Sequence, residues 1–184
     1  LSPVISKGGL NQIDLTNVKK RGGEFIESDL ATAASDPELV RKTVEEIVEL
    51  SADRKSWLVF SSGVNHAHML ANEFGNHDIE VEVITGSDSS AVRETTIADF
   101  KSGEIKCLIN VNVLTTGFDH PAVDVVCLCR ATASCGLYIQ MVGRGTRVAE
   151  GKKDCLVLDF GENCLRHGFI DRVKPKDKSA GAGE

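Results

Sequence analysis

No run in the 184 residues approaches the ~18 consecutive apolar positions that spanning a bilayer requires. The first residues, Leu1-Ser2-Pro3-Val4, lack a basic region followed by an apolar stretch, and no secretory leader is expected there. They also lack an initiating Met, and the expectation is a fragment of a longer protein. The six cysteines (Cys107, Cys127, Cys129, Cys135, Cys155 and Cys164) include no C-x-x-C pair. Cys127 and Cys129 share a strand face by spacing, but no second pair stands at ligand distance in sequence, so no metal site is expected. Cys107, Cys127, Cys129 and Cys155 fall inside apolar runs and read as reduced thiols packed as small hydrophobes, which favours a cytoplasmic compartment. Positive charge is also short. A net charge of -6 argues against a purely electrostatic nucleic-acid binder and leaves room for a local groove. No internal repeat is present.

What is there is ordinary for a globular chain: 41% hydrophobic and 26% charged residues. One domain of this length buries roughly two-thirds of its unfolded surface. Residues 1–24, with Gly8-Gly9 and Gly22-Gly23, show no periodicity and read as a linker or leading strand. Residues 25–165 carry the domain, and 166–184 read as a basic, flexible tail. Asp36-Pro37 starts a helix, with Asp as cap and Pro in the first helical position. Leu39, Val40, Val44, Ile47 and Val48 then form its apolar stripe. Strands are expected at Trp57–Phe60, Ile79–Ile84, Cys107–Val111, Val123–Leu128 and Cys155–Leu158. Between them run helices at Val64 to Phe74, stopped by Gly75, up to about Lys101, and from Leu137 to about Arg144. Strands alternating with helices predict an α/β fold, a doubly wound, mostly parallel sheet covered on both faces. The nearly continuous apolar strands agree with that burial.

In such a sheet, ligands sit at the carboxyl ends of the strands. There the chain places Ser61-Ser62, Thr85-Gly86 and Thr115-Thr116-Gly117-Phe118-Asp119. Small hydroxyls and exposed N–H groups suit phosphate oxygens, although βα turns favour the same residue types for their own sake. Gly117 permits close backbone approach, and Asp119 can accept from a ribose hydroxyl or cap the turn before Pro121. The segment Gln140-Met141-Val142-Gly143-Arg144-Gly145-Thr146-Arg147 sets two arginines three apart, on one face if helical, with Gln140 a turn earlier. Paired guanidiniums suit phosphate. Gly143 and Gly145 each weaken a helix by about 1 kcal/mol, which makes sense if the segment is pressed against another surface.

Together these segments resemble motifs V and VI of superfamily 2 helicases and translocases, and the Q-M-V-G-R-G-T-R form resembles restriction-type motor subunits and RadD-like DNA repair ATPases. Trp57-Leu58-Val59-Phe60-Ser61-Ser62 resembles motif IV, and Val83-Ile84-Thr85-Gly86 with Arg93 resembles the segment after it. Leu156 to Phe160 and Arg166-His167-Gly168 extend the likeness. The resemblance implies the second RecA-like domain of a two-domain, ATP-dependent DNA motor. It implies that Arg144 and Arg147 act as arginine fingers on ATP and that Gln140 senses its γ-phosphate. Gly117, Asp119 and Gly143 would line the nucleotide cleft. Ser61, Ser62, Thr85, Gly86, Arg93, Thr115 and Thr116 would meet one nucleic-acid strand.

The chain has no G-x-x-x-x-G-K-[ST] loop and no D-E-x-[DH] segment, the parts that cradle phosphates and hold Mg²⁺. ATP and Mg²⁺ are therefore expected to be bound mainly by an N-terminal RecA-like domain, and this chain alone is expected to be inactive. Asp159-Phe160-Gly161 matches a kinase tripeptide, but no kinase catalytic loop accompanies it. A non-catalytic RecA-like docking module is the alternative. A glycosyltransferase-like nucleotide domain fits the two spaced arginines poorly.

Overall fold

The computed structural model describes residues 2–3, 12–113 and 118–170. Among the described residues six strands form one parallel sheet in the order β1-β8-β7-β4-β6-β5. They are β1 (Ser2–Pro3), β4 (Trp57–Ser61), β5 (Val81–Ile84), β6 (Cys107–Asn110), β7 (Val125–Cys129) and β8 (Leu156–Asp159). A two-stranded antiparallel hairpin, β2 (Lys20–Arg21) with β3 (Glu24–Phe25), stands apart. The helices are α1 (Glu27–Ala34), α2 (Pro37–Leu50), α3 (Val64–Asn76), α4 (Ser90–Ser102), α5 (Cys135–Gly143) and α6 (Asn163–His167).

Alternation along β4 explains the two layers. Trp57 and Val59 join Val44, Ile47, Leu70 and Phe74 of α2 and α3 in one core. Leu58 and Phe60 join Phe100 of α4 and Tyr138, Met141 and Val142 of α5 in the other. Every residue of β4, β6, β7 and β8 is buried, as a doubly covered parallel sheet demands. The thiols of Cys107, Cys127, Cys129 and Cys155 are buried within it.

Local chemistry sets the helix starts. The Asp36 carboxylate accepts from Leu39 N–H at 2.9 Å, with Pro37 first in α2. Ser89 and Ser134 cap α4 and α5 in the same way. Gly75 does not end α3. The helix runs through it to Asn76, and Asp78 takes the left-handed turn at φ 57°.

Described residues on both sides of the expected domain bounds belong to the same body. Ile13 N–H donates to Phe160 O at 3.0 Å. The Glu24 carboxylate accepts from Thr132 Oγ1 (2.6 Å), Ala133 N–H (2.7 Å) and Ser134 N–H (3.1 Å), at the start of α5. Arg166, expected in a solvated tail, lies over the Phe25 ring at 5.0 Å and donates to Thr132 O and Gly161 O. His167 stacks on Tyr138 at 5.5 Å. The boundaries at 25 and 165 therefore cut through packed contacts. A partly buried carboxylate needs donors; Phe25 N–H is one within the hairpin at 2.8 Å, and the other three come from the start of α5 because the hairpin folds back onto it.

Candidate functional site

Arg144 caps α5 and Arg147 lies beyond it, so the two do not share a helical face as expected. A turn bonded from Gly145 N–H to Val142 O and from Thr146 N–H to Gly143 O carries the chain outward. The arginines still converge on one segment. Arg144 Nη1 donates to Phe118 O at 2.5 Å, and Arg147 pairs with the Asp119 carboxylate. The Arg147 and Asp119 side chains are 45% and 59% exposed. Such a pair is worth no more than about 1 kcal/mol, so it exchanges readily for another anion. Burial pushes the Arg144 guanidinium down, and its neighbour Arg147 adds to the effect.

The two glycines separate. A Cβ on Gly145 would sit 2.3 Å from Cys155 Sγ and 2.9 Å from Val126 Cγ2, so this glycine is pressed onto the domain's own sheet. A Cβ on Gly143 would meet nothing within 4 Å.

Gln140 is exposed and lines a narrow cleft with Asn110, Asn112, Arg130 and Phe60 at the carboxyl ends of β4, β6 and β7. Arg130 and Asn112 escaped the sequence reading. Arg130 donates to Asn112 Oδ1, and Asn112 Nδ2 donates to Glu27 Oε1 at 2.6 Å. Burial pushes the Arg130 guanidinium down, offset by Glu27 and Glu24. The signal was there: a charged residue directly after the apolar run Val125–Cys129.

The Ser61-Ser62 loop is a correction. Both side chains are buried, at 1% and 2% exposure. Ser61 Oγ donates to Gly63 O at 2.8 Å and Ser62 Oγ to Cys129 O at 2.8 Å. Helix α1, unforeseen from the sequence, lies over this loop: a Cβ on Gly63 would come within 2.9 Å of Ala31 Cβ. Those hydroxyls hold the loop together and do not face solvent. His66 completes it, accepting Ser62 N–H on Nδ1 at 3.2 Å, which leaves the ring proton on Nε2.

His66 is 3% exposed, and burial pushes its pKa down from 6.5 to about 4. The unfolded chain therefore takes up this proton first as pH falls. His66 thus costs stability progressively from about pH 6.5 toward 4 and is neutral in effect above that window. Urea titrations at pH 7.5 and pH 5 are expected to show a loss at pH 5 that is smaller in His66→Gln; an identical loss would place the acid sensitivity elsewhere.

Thr85 is also buried. Its N–H and Oγ1 bond the Asp88 carboxylate at 2.6 and 3.1 Å, while Gly86 is exposed and Arg93 half-buried on α4. The hydroxyl is spent within the turn, leaving the Gly86 backbone as the accessible part. Thr115, Thr116 and Gly117 lie outside the described residues.

The donor set fits phosphate: two guanidiniums on one turn, an exposed and exchangeable carboxylate paired with one of them, and open space at Gly143. Among the described residues no three His, Cys, Asp or Glu cluster as metal ligands, and no helix is long and apolar enough to cross a membrane.

The helicase conserved C-terminal domain matches residues 39–149. The chain is 40% identical over 119 residues to the Schizosaccharomyces pombe protein irc3, named as a mitochondrial ATP-dependent helicase, covering 65% of this chain and 20% of that protein. It is 30% identical over 151 residues to IRC3 of Saccharomyces cerevisiae, named as an ATP-dependent helicase, covering 81% and 22%. The chain thus spans about a fifth of the length of these curated relatives. Among solved structures, a fragment described as the HsdR subunit of a type I restriction enzyme from Vibrio vulnificus superposes with a TM-score of 0.64 at 23% identity, covering 79% of this chain and 30% of that one. The DEAD-box protein SrmB of E. coli, bound to a regulator of ribonuclease activity, superposes with a TM-score of 0.60 at 21% identity, covering 72% and 79%. The sheet order, the arginine turn at the end of α5 and these likenesses lead to one statement: the chain belongs to the helicase conserved C-terminal domain family, the second RecA-like domain of superfamily 2 helicases.

Proposed function

We propose that this chain is the arginine-supplying half of an ATP-dependent DNA helicase or translocase. The carrying observation is the turn after α5, which holds Arg144 and Arg147 against the Phe118–Asp119 segment with Arg147 and Asp119 exposed. Exposed, readily exchanged ionic groups are what a phosphate delivered by a second domain requires. ATP, the substrate, would supply the phosphoryl group and Mg²⁺, when bound, would neutralise part of its charge, both held mainly by an N-terminal RecA-like domain. On domain closure Arg147 leaves Asp119 and donates to the γ-phosphate oxygens, and Arg144 donates beside it. Preorganised positive charge that meets the developing charge of the transferring phosphoryl lowers the barrier. Asp119, released from Arg147, is then free to accept from the ribose, and Gly143 lets the backbone approach. Gln140 lies one turn upstream as the γ-phosphate sensor. The Gly86 backbone, Arg93, Thr115 and Thr116 grip one DNA strand, with Ser61 and Ser62 acting through the shape of their loop. Cycles of closure and opening move these loops along the strand.

ATP hydrolysis with and without single-stranded DNA, RNA or duplex tests the reading. The isolated chain is expected to show no turnover and weak, salt-sensitive binding to single strands. The full-length protein, in which this chain is joined to a phosphate-binding domain, is expected to hydrolyse ATP faster when single-stranded DNA is added. Turnover by the clean isolated chain contradicts the half-motor reading. Strand binding by a full-length protein without ATPase supports the docking module.

A further inference from the structure

Lys152 stands between the arginine turn and β8, outside every motif above. Its ammonium donates to three backbone carbonyls at once: Pro121 O at 2.9 Å, Gly145 O at 2.9 Å and Arg147 O at 2.7 Å. An ammonium has three donors, and all three are used. Two of the acceptors lie in the arginine turn, one of them the carbonyl of Arg147 itself. The third lies two residues after Asp119, so a single cation ties together the backbones that carry both members of the Arg147–Asp119 pair.

The sheet constrains the same turn. Gly145 is pressed onto Cys155 and Val126, which leaves the turn no room to sink inward. Gly151, at φ +75°, and the bond from Lys152 N–H to Ala149 O shape the return that brings the ammonium back beneath the turn. The Arg147 side chain is 45% exposed, so apart from its pair with Asp119 its reach depends on where its backbone is fixed. Helix α5 does not carry that backbone, having ended four residues earlier.

We propose that Lys152 is a positioning residue for Arg147, holding the arginine turn against the Pro121 segment so that the guanidinium starts each closure from one place. The inference rests on the arginine reading above. A misplacement of about 1 Å in such a group can cost about 10²-fold in rate, so the expected effect is on turnover rather than on ATP affinity.

The test is a double-mutant cycle on stimulated ATPase in the full-length protein, with wild type, Lys152→Met, Arg147→Ala and the double mutant. Methionine keeps the apolar stem and removes the donors. Lys152→Met is expected to lower kcat about 10- to 100-fold with KM for ATP changed less than about 2-fold. In the Arg147→Ala background it is expected to do nothing further. The same fold-loss in both backgrounds overturns the proposal, because Lys152 then acts without Arg147, and so does wild-type kcat in Lys152→Met. Wild-type turnover in Arg147→Ala alone removes the arginine reading itself and the proposal with it. Should the methionine variant melt below the assay temperature, Lys152→Arg carries the same cycle. Its planar fork keeps the charge but cannot aim three donors at three converging carbonyls, so a loss absent in the Arg147→Ala background is again expected, and an equal loss in both again overturns.

Discussion

Arg147→Ala is expected to lower nucleic-acid-stimulated ATP hydrolysis by about 10³- to 10⁵-fold in the full-length protein, the range that a finger arginine contributes. ATP binding is expected to stay nearly intact, because the proposed function gives the cradling of the phosphates to an N-terminal domain. The folded state loses only an exposed ion pair with Asp119, worth about 1 kcal/mol or less, so thermal stability should hardly change. Loss of turnover with retained binding and stability is the signature of charge supplied only in the transition state. Arg147→Lys is expected to recover little, since a single ammonium cannot reproduce the planar fork. Arg144→Ala should differ. That guanidinium also holds Phe118 O at 2.5 Å, so its loss should reduce stability together with turnover. Wild-type turnover in Arg147→Ala would sink the assignment.

Gly145→Ala is expected to destabilise the fold by about 3 kcal/mol, at the upper end of the usual cost of overpacking, a fall in Tm of roughly 6–12 °C at this chain length. The new Cβ would lie 2.3 Å from Cys155 Sγ, 2.9 Å from Val126 Cγ2 and 3.3 Å from Cys155 Cβ. Cys155 and Val126 belong to the buried face against α5, where neighbours leave little room to yield. The strain can relax by lifting the arginine turn off the sheet, which stretches the Lys152 bonds to Gly145 O and Arg147 O. Turnover should therefore fall with stability. A second change, Cys155→Ala, removes the closest atom and should restore part of both; thermal melts of the single and double variants decide it. Gly143→Ala is the contrast, since its Cβ meets open space in this chain. With helix propensity favouring alanine by about 1 kcal/mol, Gly143→Ala is expected to leave Tm unchanged or raise it, and a drop as large as in Gly145→Ala would mean that the sheet contact does not set the cost.

Most of the layer architecture was legible because it follows from local patterns. The apolar runs that became β4, β6, β7 and β8 are unbroken, and the cap at Asp36 stands where α2 begins. Helix α1 was not legible: only Leu30 and Ala34 are buried on it, too few for a stripe, and its first residue lacks a side-chain cap. The hairpin β2–β3 was invisible for a similar reason, since its four residues pair only once Glu24 reaches the start of α5. In the candidate site, the pairing of Arg147 with Asp119 links positions 28 residues apart in sequence, and no periodicity carries that information. The hydroxyls of Ser61 and Ser62 read as ligand groups because composition at a strand end cannot say whether a helix covers it. Here α1 does.

By itself the sequence determined the class of fold, the family and the order of the motifs along the chain. Apolar periodicity and cap chemistry act between neighbours, and motif spacing survives in the one-dimensional string. The tertiary structure alone decided which polar groups are spent holding the protein together and which face outward. That division turns on contacts between distant segments: Ala31 over Gly63, Lys152 beneath Arg147, Glu24 at the start of α5. A hydroxyl or an ammonium has the same residue letter whether its partners are carbonyls of its own chain or the phosphates of another molecule. Only the geometry of the folded chain assigns it to one or the other.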